Sequence, residues 1–176
     1  MLIKKNIVFI LFLLNSINIS SGDEFPPIPI PPRFPTVIYE DISLFYIGKD
    51  ISTYHFSRRF LIMVNNSTLL PFFEVYFDGT YYTIAFDDNN LVNAIFIRET
   101  NIYNHQQSFR TSNGVYLGMT YKDLKNIEPN IVLNKMSGWG YFGELKSGWK
   151  VAFFIGNTMT EHFPKEDDKI GAIYKD

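Results

Sequence analysis

Three stretches of aromatic and β-branched residues, separated by two polar turns, constrain this chain more than any other feature in it. Pro71 to Phe77 and Thr80 to Phe86 flank Asp78-Gly79, and Leu91 to Ile97 follows Asp87-Asp88-Asn89-Asn90. An Asp-Gly pair suits the two positive-φ positions of a type I′ turn, which joins adjacent strands without splaying them. The flanking runs carry the residue types that pack well on a pleated surface, so they predict an antiparallel meander. Further on, Gly138 to Leu145 and Trp149 to Ile155 flank Ser147-Gly148 as a second hairpin. Ile170 to Tyr174 reads as a last strand after the charged turn Lys165 to Lys169. The glycines around Trp139 and Tyr141 point to bulges or close backbone approach.

Helical signals are short. Thr120 to Ile127 opens on a capping threonine with Asp123 three residues on, and Pro129 stops it. Asp50 to Ser57 reads as its counterpart, with Asp50 as cap. The expected fold class is therefore α+β: an antiparallel sheet meander with one or two short helices. Tyr46-Ile47-Gly48-Lys49-Asp50-Ile51 also lines up with Tyr116-Leu117-Gly118-Met119-Thr120-Tyr121, seventy residues later. Both read aromatic, aliphatic, Gly, any residue, cap, which divides the globular part into related halves at 36–105 and 106–176.

The N-terminus carries different information. Lys4 and Lys5 precede the apolar run Ile7 to Leu14, and small polar residues lead to Ser20-Ser21-Gly22. That is the layout of a secretory signal peptide over residues 1–22, and the apolar run is far short of the ~20 residues that span a bilayer as a helix. The chain has no cysteine, which excludes a lipoprotein anchor, a disulfide framework and a thiolate metal site. Loss of residues 1–22 removes two lysines and no acid, so the net charge of −2 becomes −4. Such a balance gives no electrostatic ground for nucleic acid. No later run is long and uninterrupted enough for a transmembrane helix, and a periplasmic or secreted location is expected. Residues 23–35 hold six of the nine prolines. Their spacing forbids helix and central strand and favours an extended polyproline II arm, read either as a stiff leader laid along the domain or as a docking ligand.

Catalytic signatures are missing from the pattern. His55, His105 and His162 stand far apart with no metal-ligand spacing, so neither metal nor cofactor is expected. Asp87 to Asn90 has the composition of a hairpin turn and lacks the alternation of a calcium loop. No nucleophile elbow appears, and among Glu74, Asp87, Asp88, Glu99, Glu144 and Glu161 nothing singles out a carboxylate pair for glycan hydrolysis. What the chain has in surplus is rings. Tyrosine and tryptophan give large contact area at low entropic cost, which makes Trp139, Tyr141, Trp149, Tyr81 and Tyr116 the candidate binding residues, with core filling as the competing role for each.

The stretch Gly118-Met119-Thr120-Tyr121-Lys122-Asp123-Leu124, ahead of aromatic strands and behind a signal peptide, resembles the Gly-x-Thr helix entry of small bacterial envelope modules, the outer-membrane assembly lipoprotein BamE and the β-lactamase-inhibitor-like repeat. The resemblance covers about ten residues. It implies a non-catalytic domain whose sheet or loops hold a protein partner. The chain departs from these families in lacking their cysteines, and Glu128-Pro129 stands where they end the helix with Gly-x-Pro. The functional expectation is an exported, non-catalytic protein that recognises an envelope or extracellular protein, such as an inhibitor or immunity factor. A hydrolase acting on an envelope polymer and a structural surface-assembly protein are the alternatives.

Overall fold

The computed structural model describes residues 35–65, 67–98, 107–153 and 162–176. The expected signal peptide, the arm as far as residue 34, Glu99, His105, Glu161 and the end of the Trp149 to Ile155 strand lie outside the described residues. The described chain forms, in order, β1 (Val37–Ile38), a 3-10 turn (Ile42–Leu44), β2 (Leu61–Met63), β3 (Leu69–Phe77), β4 (Thr80–Phe86), β5 (Val92–Arg98), α1 (Tyr121–Ile127), β6 (Leu133–Met136), β7 (Gly140–Glu144), β8 (Lys150–Phe153) and β9 (Ile170–Lys175). The strands join one sheet in the order β1-β3-β4-β5-β9-β8-β7-β6, with β2 also paired to β3.

The α+β expectation is corrected by this inventory. Nine strands and one α-helix of seven residues make the described chain sheet-dominated. The sheet is also mixed, because β1 runs parallel to β3. The second expected helix, at Asp50 to Ser57, does not form. The Asp50 carboxylate does cap the Ser52 N–H (2.7 Å), but the chain makes only one further turn, with Tyr54 N–H donating to Ile51 C=O. Its rings then go into the core: Phe56 stacks on Phe73 at 3.6 Å between centroids and lies beside Tyr54 at 5.3 Å. Rings at alternating positions 54 and 56 share one side of an extended segment, whereas a helix would turn them apart.

Elsewhere local chemistry and structure agree. Asp78 and Gly79 both have positive φ (47° and 72°), as a type I′ turn demands. Thr120 Oγ1 accepts the Asp123 N–H (3.1 Å) and caps α1, which ends where Glu128 N–H reaches Leu124 C=O (2.7 Å). The buried Glu128 carboxylate accepts from Asn113 Nδ2 (2.8 Å) and Lys146 N–H (3.3 Å), fastening the helix end to the β7–β8 turn.

The two aligned glycine turns make the same hydrogen bonds. Gly48 N–H donates to Val92 C=O and Val92 N–H to Lys49 C=O (2.8 and 2.9 Å); Gly118 N–H donates to Ile170 C=O and Ile170 N–H to Met119 C=O (both 2.9 Å). Both glycines sit at φ near +80°, a conformation that other residues adopt only under strain. Each turn thus hangs on the first residue of β5 or β9, and these two strands pair antiparallel at the centre of the sheet.

One sheet face carries the main core. Phe73, Ile84, Phe86, Ile97, Val151, Phe153 and Ile173 point to it and are almost fully buried beneath Phe45, Ile51, Val115, Met119 and Leu124 from the connecting segments and α1. Because side chains alternate along a strand, the intervening residues form the opposite face, which is built very differently.

Candidate functional site

Register defines the opposite face row by row. Phe72, Ala85 and Ala94 lie side by side across β3, β4 and β5. Phe142, Ala152 and Ala172 do the same across β7, β8 and β9. Between these rows Phe96 pairs with Tyr174 across the central β5·β9 ladder, their rings stacked at 5.4 Å and 17°. The four alanines are fully buried and short, so they leave a trough between the larger side chains around them.

Two elements wall the trough. The first is the ribbon of β2 with the start of β3, whose tip is tied by Asn65 Oδ1 accepting the Ser67 and Thr68 N–H groups (3.0 and 2.9 Å). Ile62, Val64 and Leu70 of this ribbon pack against the alanines and the Phe96–Tyr174 pair. The second is the turn between β6 and β7, Met136 to Trp139, closed by Trp139 N–H donating to Met136 C=O (2.9 Å). Together they enclose a half-open groove of about 700 Å³, within the range of ligand pockets. A run of rings crosses its floor: Trp139 edge-on to Phe142 (6.4 Å), Phe142 edge-on to Tyr174 (6.2 Å), and Tyr174 on Phe96. Leu61 and Met63 line the groove while remaining 53% and 42% exposed.

Charge gathers at specific points. Asp176 lines the groove and pairs with the Lys150 ammonium, which also lies 5.9 Å from the Tyr174 ring centroid. Burial, with a smaller push from Asp176, holds the Tyr174 phenol far above the ordinary tyrosine range. Arg98 lines the groove with its guanidinium 5.7 Å from the Phe72 ring centroid. Its Nε donates to Thr83 Oγ1 (3.5 Å), and the Thr83 hydroxyl donates to Glu74 Oε1 (3.5 Å). Glu74 is fully buried and its Oε2 has no hydrogen-bond partner among the described residues. Burial pushes this carboxyl above the usual carboxylate range, against the opposing pull of Arg98 and Thr83. Burial likewise lowers the affinity of Arg98 for its proton, with Glu74 acting in the other direction.

Of the five sequence-derived candidates, the groove takes one. Trp139 lines it. Tyr141 is buried on the main-core face, and Trp149 packs there edge-on to Phe109 at 4.8 Å. Tyr116 packs against the same core with the Arg110 guanidinium 4.2 Å from its ring centroid. Tyr81 is buried beside Tyr76, 4.6 Å away, outside the groove lining. The groove residues that sequence reasoning passed over are Phe96, Tyr174, Phe142, Met136, Leu61 and Met63. A signal for two of them was present: Ala94-Ile95-Phe96 and Ala172-Ile173-Tyr174 repeat a small–aliphatic–aromatic triplet.

The described carboxylates are dispersed. Glu74 is beneath the surface, and Asp87 Oδ1 accepts the Asn89 and Leu91 N–H groups. Asp88 and Asn90 hold the Arg58 guanidinium (both 2.8 Å), and Glu144 is exposed on β7. Among the described residues no group of three His, Asp or Glu side chains is placed to hold a metal ion, and no helix is long and apolar enough to cross a membrane. No family model, curated protein or solved structure matches the chain.

Proposed function

We propose that the protein is exported and recognises a protein partner outside the cytoplasm through this apolar groove, without catalysing a reaction on it. The observation that carries the reading is the exposure of Leu61 and Met63 on the rim of a groove floored by Trp139, Phe142, Tyr174 and Phe96. Large apolar side chains held open beside aromatic anchors are what protein interfaces use, because burying them on contact supplies free energy and rings lose little entropy. The groove ends in the Lys150–Asp176 pair and Arg98, polar groups that would fix the orientation of an inserted segment. An inhibitor or immunity factor is the role that fits this arrangement and the envelope-module resemblance together.

The test is selective capture from an envelope extract. The intact chain is expected to retain a specific protein that Trp139→Ala and Leu61→Asp lose and Lys122→Ala, on exposed α1, keeps. Identical capture by all four chains would overturn the assignment of the groove.

A further inference from the structure

We propose that the partner segment received by the groove carries an aspartate or glutamate between apolar side chains, with its carboxylate paired to Arg98, so that the segment lies in one direction. The proposal rests on the reading of the groove as a recognition surface.

The sheet around the groove repeats itself. Thr83, Ile84 and Ala85 face Phe96, Ile95 and Ala94; the register then shifts, and Phe86 faces Val92. Lys150, Val151 and Ala152 face Tyr174, Ile173 and Ala172; the register shifts at the same point, and Phe153 faces Ile170. Val92 and Ile170 are the residues that hold the two glycine turns. Phe72 beside Ala85 and Phe142 beside Ala152 extend the match to β3 and β7. An approximate twofold axis therefore passes through the paired Phe96 and Tyr174, in the middle of the groove floor.

A perfect twofold would let a bound segment lie in either direction. Charge breaks that symmetry. Two residues beyond Phe96 stands Arg98, and two beyond Tyr174 stands Asp176; both line the groove. Their neighbours Thr83 and Lys150 occupy equivalent positions. Lys150 balances Asp176 by an ion pair, whereas Thr83 offers Arg98 only a hydroxyl, 3.5 Å from Nε. Among the described residues, the Arg98 Nη groups have no hydrogen-bond partner and no carboxylate within ion-pair distance. Glu74 accepts from Thr83 instead, and burial pushes its carboxyl towards the neutral form, which leaves the guanidinium without a full counterion. A half-buried guanidinium held beside the Phe72 ring, with its fork turned to a groove, suits a carboxylate taken through two parallel hydrogen bonds. Because the groove is half-open, a chain can pass along it, so the carboxylate is that of a side chain. Its apolar neighbours then cover Phe96 and Tyr174 and meet Leu61 and Met63.

Selection of random dodecapeptides on the intact chain reads this chemistry. Enriched peptides should carry Asp or Glu flanked by Leu, Ile, Phe or Tyr. One of them, synthesised, should bind Arg98→Gln about ten- to a hundredfold more weakly, and Lys122→Ala unchanged. Replacing the peptide's acid by its amide should weaken binding to the unaltered chain by a similar factor, which reads the pairing without any change to the fold. Against Arg98→Gln the same replacement should cost nothing more. Enriched peptides without an acid, or equal losses on both chains, would overturn the proposal. So would enrichment of no peptide while laurate binds, which would make the groove a lipid site. Peptides that need Trp139 and Leu61 but show no acidic preference sink the carboxylate pairing and leave the groove reading standing. Peptides indifferent to Trp139→Ala and Leu61→Asp sink the groove reading itself.

Discussion

Truncating one phenylalanine on each face of the sheet should give very different losses of stability. Phe73 is fully buried and enclosed by the rings of Phe56, Phe45 and Phe86 at 3.6, 5.5 and 6.0 Å. Phe73→Ala removes a sealed side chain and leaves a cavity, a change that costs about 4 kcal/mol. Phe142 is half-buried on the groove floor, so Phe142→Ala widens a space already open to water. Only the transfer of a partly buried ring is lost, about 1 kcal/mol. Urea unfolding followed by tryptophan fluorescence separates the two. With a denaturant slope of about 2 kcal/mol per molar, the midpoint should fall by about 2 M for Phe73→Ala and about half a molar for Phe142→Ala. Equal shifts, or the larger shift from Phe142→Ala, would refute the assignment of one sealed face and one open face.

The buried Glu74 carboxyl makes stability fall as pH rises. Its pKa is raised in the folded chain, so its contribution is full below the ordinary carboxylate value of about 4.3 and declines as pH climbs through the raised folded value. Glu74→Gln should therefore stabilise the protein at pH 7 by about 1 kcal/mol and bring no gain at pH 4 in thermal melts. Gly48→Ala and Gly118→Ala should each cost about 1–2 kcal/mol from backbone strain alone, since among the described residues, chain neighbours aside, neither position has a heavy atom within 4 Å of an added Cβ. Matched losses in chemical denaturation would support the equivalence of the two turns, and a loss at one position only would contradict it. Arg58→Ala should cost less than about 1 kcal/mol, and less again in high salt, because its contacts to Asp88 and Asn90 are exposed.

Much of the sheet was legible because its signals are local. Asp78-Gly79 fixes a turn by backbone conformation, the runs around it have strand composition, and Thr120 with Asp123 caps a helix within four residues. The elements that escaped have no such signal. β1 is two residues long and exists through its pairing with β3. β2 reads Leu-Ile-Met with its outer residues exposed, and β6 reads Leu-Asn-Lys-Met, so neither shows the alternation of a half-buried strand. The helix expected at Asp50 to Ser57 had a valid cap, but Phe56 gains more by stacking on Phe73 than its segment gains from one helical turn.

The site was harder to read for a related reason. Ring content marks residues that pack, but the face on which they pack depends on register, and one residue of slip exchanges the faces. Tyr141 and Phe142 are adjacent, yet the first goes to the main core and the second to the groove. The trough itself comes from small residues: Ala85, Ala94, Ala152 and Ala172 are aligned only once four strands are in register. Its walls join Leu61 to Met63 with Met136 to Trp139, more than seventy residues apart.

Photocrosslinking in the producing cell tests recognition through the groove most directly. A photoreactive amino acid placed at Met63 should yield one discrete adduct with another protein, while the same group at Lys122 on α1 should yield none. An adduct from Lys122 with none from Met63 would contradict the account.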